Sequence, residues 1–185
     1  MPTQKISREF IINQAIKIFK RKSYHNTTMA DIADACGVLK GSIYHYFQSK
    51  EVLMKAVIEH VHQYFKDNVF IHAQNGKLGA SQKMEQLVDM AENLFFGPEG
   101  GDILGNVGIE TAHVIPEFRE PIRQFFTDYM SALETIFKEK YPGEMAKELA
   151  VQSISEVEGA LMLSRIFGDR QYFIDANRRL IEKLN

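Results

Sequence analysis

An all-helical protein with a small basic head and a larger acidic body is what the sequence predicts. Apolar residues recur at helical spacing along the whole chain, strand-like alternation is nowhere sustained, and glycine and proline punctuate the periodic stretches. Charge divides unevenly: residues 1–50 hold eight Lys and Arg against three acidic residues, a net of +5, while the rest hold 14 basic and 21 acidic residues, a net of −7. A basic head suits a polyanion, the acidic body then serving another purpose, and a solvated basic face accounts for the same charges. At 185 residues with 45% hydrophobic and 25% charged positions, the composition is that of a globular protein and excludes disordered, collagen-like and fibrous classes.

The elements follow in order. Ile11, Ala15, Ile18 and Phe19 form one buried stripe of a first helix over about 5–22, with Lys17, Lys20 and Arg21 outside. Thr28 and Asp31 stand at capping-box spacing before Met29, Ile32, Ala33 and Cys36, and Gly37 supplies a left-handed stop. Ile43 and Phe47 mark a third helix. Ser49 caps a fourth, expected from Lys50 to about Ala73. Helices over about 80–96 and 103–113 flank the break Gly97-Pro98-Glu99-Gly100-Gly101; Pro116 and Pro121 suit the first turn of a helix reaching about Tyr141. After Pro142-Gly143, two more cover about 144–167 and 170–184, nine helices in all.

Two short helices joined by a tight glycine-containing turn can place the second in a DNA major groove. Thr28 to Lys50 meets that requirement: Ile32, Ala33, Ile43 and Phe47 form an inner face, leaving Lys40, Ser42, Tyr44, His45 and Tyr46 outside or at the edges. A plain helical hairpin satisfies the same periodicity.

The segment from Thr27 to Glu51, TTMADIADACGVLKGSIYHYFQSKE, resembles the DNA-binding segment of TetR-family transcriptional regulators over more than twenty fixed positions, and Ala15, Phe19 and Tyr24 fit the family's first helix. The resemblance implies a helix-turn-helix DNA-binding domain (1–49) and a helical effector-binding and dimerisation domain (50–185). It also implies a homodimer on a double-stranded, near-palindromic operator, released by a small molecule. Carried over by position, Thr28 touches phosphate, and Lys40 and the Gly41 amide meet phosphate or a base edge. Ser42 and Tyr44 lie nearest the bases, His45 and Tyr46 follow the backbone, and Lys50 clamps a phosphate. Leu39 stands where the family usually has a small polar residue, and Ser23 where it often has glycine. The run Gly101 to Asn106, with Glu110 and Glu158-Gly159-Ala160-Leu161, is similar to a TetR subgroup that often has cysteine where Asp102 stands here.

The body is expected to hold the effector among Phe95, Phe96, Phe125, Phe126, Tyr129 and Met162, with Asn106, Glu110, His113 and Arg165 as polar contacts. Small residues of the penultimate helix, Ala146, Ala150, Ser153, Gly159, Ala160 and Ser164, suit close helix packing, at a dimer interface or within one subunit. A single cysteine excludes an internal disulfide and a cysteine zinc site, and Cys36 reads as a small buried residue. Glu110-x-x-His113 is half of a di-iron pattern without its second half, so no metal, cofactor or enzymatic role is expected. Lys5, Arg8 and Glu9 precede any apolar stretch and no apolar run reaches about 18 residues, so a cytoplasmic protein without membrane spans is expected. A helical interaction adaptor without operator binding is the alternative class.

Overall fold

Helix α1 (Arg8–Lys22) starts where the Ser7 hydroxyl accepts the Phe10 amide (3.0 Å), and it buries Ile11, Ile12, Ala15, Ile18 and Phe19. The computed structural model to which it belongs describes residues 6–96 and 101–185. Among these it has nine α-helices and no strand. Helix α2 (Met29–Cys36) carries the expected capping box between Thr28 and Asp31 and ends at Gly37 with φ 68°. Helix α3 (Lys40–Tyr44) is a single turn and a half, held by buried Ile43.

Helix α4 (Lys50–Asn68) begins as expected, with Ser49 Oγ accepting the Val52 amide (3.2 Å), but ends five residues short of Ala73. The Asn68 side-chain amide donates to the Tyr64 carbonyl (2.9 Å), beyond which Phe70–Gln74 form a 3₁₀ turn burying Phe70 and Ala73. Burial at i and i+3 fits either helix type, so periodicity alone could not place that boundary.

Helices α5 (Ala80–Phe96) and α6 (Ile103–Thr111) follow. Of the glycine-rich break expected between them, positions 97–100 lie outside the described residues. Helix α6 stops two residues before His113, since Thr111 O accepts the amides of both Val114 and Ile115. Helix α7 (Pro116–Phe137) corrects one expectation: Pro121 lies in its second turn, not its first. Proline there forfeits the bond to the Glu117 carbonyl, which belongs to an exposed residue that water can reach. Helices α8 (Gly143–Phe167) and α9 (Gln171–Glu182) complete the chain.

Packing divides the described residues into two compact units, 6–63 with 101–123 and 64–96 with 124–185. This line differs from the division expected at residue 49/50, because the first part of α4, α6 and the start of α7 fall in the same unit as the head. In the first unit, α1, α2 and α3 pack on one another around Ile11, Ile32, Ile43, Phe47 and Leu53, all without exposed surface. In the second, Phe65, Phe70, Phe125 and Tyr129 form an aromatic cluster, with Phe65–Phe125 centroids 5.1 Å apart and edge-on. Helix α8 packs along α9. Its small residues Ala146, Ala150, Ser153, Ala160 and Ser164 are buried within the subunit, which selects the intrasubunit role for that stripe. Glu156 receives Arg179 and Lys183; its burial would raise the carboxyl, and the two cations hold it below the usual range. Among the described residues, no helix is long and apolar enough to cross a membrane.

Candidate nucleic-acid interface

The geometry of α3 follows from two buried anchors. Ile43 and Phe47 have no exposed surface, and Arg8 lies 4.9 Å over the Phe47 ring. With these inside, Lys40, Gly41, Tyr44, His45 and Tyr46 are exposed and Ser42 is half-buried. Lys40 leans along the helix over the Tyr44 ring (5.8 Å). A Cβ built at Gly41 meets nothing within 4 Å, so the surface there is open to an approaching backbone. The Tyr46 hydroxyl donates to the Ile6 carbonyl (3.0 Å), tying the residues ahead of α1 to the same surface.

Besides Tyr46, two of the candidate DNA contacts have hydrogen-bond partners inside the head. The Thr28 hydroxyl accepts the Asp31 amide (3.2 Å) and donates to Asp31 Oδ2 (2.8 Å), while Lys22 meets the other carboxylate oxygen (2.5 Å). The hydrogen bond from Lys22, then those from Thr28, hold the Asp31 carboxyl far below the usual range. The Lys50 ammonium donates to the carbonyls of Tyr24 and Thr27 (2.9 Å each) and lies 4.3 Å over the Tyr24 ring. That closes the α1–α2 turn onto the start of α4, so two of its three donors serve the head itself.

Tyr24, 2% exposed, is the centre of this arrangement and sequence reasoning gave it too small a part. Its ring stacks on Phe19 and meets Phe118 edge-on, and its hydroxyl donates to Glu51 (3.1 Å). Burial, together with the Glu51 carboxylate, raises the Tyr24 phenol well above the ordinary tyrosine range. Glu110, reached from α6, accepts the Tyr24 and His25 amides (3.0 and 3.4 Å). The sequence signal for that tie was absent, since 85 or more residues separate the partners.

The effector candidates scatter. Phe125 and Tyr129 lie in the aromatic cluster of the second unit, Phe95 joins it through Phe65 (6.3 Å), and Phe126 meets Phe125 edge-on. Phe96 packs on Phe173, and its ring carries Arg170 (5.0 Å). Phe65, Phe70 and Phe173 were missed, because each reads as an ordinary helix-core residue. Met162 and Arg165 are exposed on α8, away from the buried stripe, and are not brought into the cluster. Asn106, Glu110 and His113 belong to the first unit. There the Asn106 side-chain amide donates to the Asp102 carbonyl, Glu110 is engaged with the α1–α2 turn, and His113 is exposed.

Comparison with known families supplies the identification. Residues 11–57 match the model described as bacterial regulatory proteins of the tetR family, and residues 81–179 match the C-terminal domain of LmrA/YxaF-like transcriptional regulators. The chain belongs to the TetR family. An uncharacterized HTH-type regulator from the lacX 3' region of Lactococcus lactis is 28% identical over 178 residues, covering 88% of this chain and 85% of that one. YxaF of Bacillus subtilis, also uncharacterized, is 28% identical over 171 residues, covering 85% and 84%. A TetR regulator from Legionella pneumophila has the same fold, with TM-score 0.89, 24% identity and 98% of each chain covered.

As a TetR-family protein the chain is a DNA-binding transcriptional regulator and not an enzyme. Its departures from the family pattern have local structural consequences. Asp102, in the place of a subgroup cysteine, caps α6 by accepting the Gly105 amide (2.9 Å). Ser23 takes φ 67° and ψ 169°, a conformation suited to glycine. Leu39 precedes α3 and makes no side-chain cap bond. Cys36, expected to be buried, is half-buried, and that partial burial pushes its thiol up, away from the reactive thiolate.

Proposed function

We propose that this TetR-family protein is a ligand-responsive repressor acting in the cytoplasm as a homodimer on a palindromic operator. The observation that carries the reading is the α3 surface: polar and basic residues exposed on a turn of helix whose two apolar anchors are fully buried. Ser42 and Tyr44 read base edges, Lys40 and the Gly41 amide approach phosphate or a base edge, and Thr28, His45, Tyr46 and Lys50 lie along the backbone.

One chain supplies one recognition helix, and a palindrome needs two, about 34–36 Å apart. The exposed side of α8 carries Val151, Met162 and Ile166, with exposed Phe167 at the end of the helix, apolar residues that support pairing with a second copy. An effector releases DNA only if it prefers the dimer arrangement whose helix spacing no longer fits the grooves. Helix α6 holds two of the effector candidates, Asn106 and Glu110, and is bonded through Glu110 to the α1–α2 turn, so a ligand acting on α6 acts on the head. In the second unit, a groove of about 340 Å³ lined by Asp89, Glu92, Asn93, Phe96 and Arg170 offers a place for a polar aromatic-binding ligand.

Fluorescence anisotropy on DNA flanking the protein's own gene, against scrambled DNA across a salt series, tests the reading. Preference for the native sequence with strong salt dependence is expected; no binding at low salt would favour an interaction adaptor. On the preferred DNA, Tyr44→Ala is expected to cost about 1–3 kcal/mol and to relax the sequence preference.

A further inference from the structure

Every other large group on the α3 surface has a polar end; Leu39 does not. It is 82% exposed, directly before Lys40. Its carbonyl accepts the Ser42 amide at 2.8 Å, so its backbone is pinned to the start of the helix rather than free to carry the side chain elsewhere. Its neighbour Val38 is half-buried, Lys40 leans away along the helix over Tyr44, and the space at Gly41 is open. Leu39 provides no cap bond, and serine or threonine in its place would. Single exposed leucines are common on protein surfaces. This one lies where a recognition helix begins, and the N-terminal residues of such helices meet base edges.

We infer that Leu39 is a specificity-determining residue that packs against the 5-methyl group of a thymine in each operator half-site. The inference rests on the DNA-binding reading of α3. A leucine side chain can neither donate nor accept a hydrogen bond, so the purine N7 and O6 acceptors and the exocyclic amines offer it nothing. The thymine methyl is the apolar feature of the unmodified major groove. Contact there removes both apolar surfaces from water and disfavours cytosine, which carries only a hydrogen where thymine carries the methyl.

The test begins by enriching a randomised duplex pool on the full-length protein and taking the selected sequence. Each thymine is then replaced in turn by deoxyuridine, which deletes the methyl and keeps the pairing, and binding is titrated by anisotropy for the wild type, Leu39→Ala and Leu39→Ser. At one thymine of each half-site the wild type is expected to lose about fourfold in affinity, the value of burying one methyl-sized group. The two variants should bind thymine and uracil duplexes equally at that position. A wild-type penalty that persists unchanged in Leu39→Ala, or no thymine whose methyl matters, overturns the inference while leaving specific DNA binding intact. Enrichment of no sequence removes the DNA-binding reading and this inference with it. Thermal melting of the variants guards against misfolding, and Leu39→Ser, which gains a helix cap, is expected to melt no lower than the wild type.

Discussion

Among the described residues Ser23 alone combines a side chain with a left-handed φ, and its ψ of 169° places it in a region that is almost glycine's own. The neighbouring bonds hold it there: the Ser23 amide donates to Phe19 O (2.9 Å), and the Thr27 hydroxyl donates to Ser23 O (2.6 Å). Ser23→Gly is therefore expected to raise stability by about 1 kcal/mol, read as a higher denaturant midpoint at unchanged slope. An unchanged or lower midpoint would mean that the serine conformation costs nothing. Lys50 makes the opposite case. Lys50→Ala leaves the Tyr24 and Thr27 carbonyls without their ammonium and is expected to lower stability by about 1–3 kcal/mol. If its remaining donor also meets phosphate, the slope of log affinity against log salt falls by about one in the same variant. An intact melt with a reduced slope would assign Lys50 to DNA alone.

At the scale of elements, α2 depends on a short electrostatic chain from Lys22 through Asp31 to Thr28. Asp31 titrates lower in the folded than in the unfolded chain, so its contribution is present above its unfolded pKa of about 3.9 and is lost as pH falls below that value. Asp31→Asn is expected to melt lower than the wild type at about pH 7, and the difference should shrink as the pH is taken below about 4. A gap that stays constant with pH would assign the effect to the hydrogen bonds rather than the charge. Cap signals of this kind were legible because their partners lie within three residues. The end of α4 was not, because an i, i+3 apolar pair serves an α-helix and a 3₁₀ turn alike. Pro121 misled for a related reason: a proline in the second turn is tolerated when the carbonyl it strands belongs to an exposed residue, and exposure is a tertiary property.

For the whole molecule, the exposed apolar face of α8 sets the expected assembly. Ile166→Glu, at a position 66% exposed in the single chain, should leave the monomer folded but yield a monomeric species in sedimentation, with operator affinity falling as the second recognition helix is lost. A dimer that survives this change together with Phe167→Glu would place the interface elsewhere. The sequence by itself determined the helical class, the helix-turn-helix and the α3 residues that face outward, because these follow from local spacing, caps and a fixed-register signature. Only the tertiary structure decided that Lys50 closes the α1–α2 turn, that Glu110 binds the Tyr24 amide, and that the small residues of α8 serve their own subunit. Each of those depends on which groups far apart in the chain are brought within hydrogen-bonding or packing distance, and side-chain periodicity carries no record of that partner.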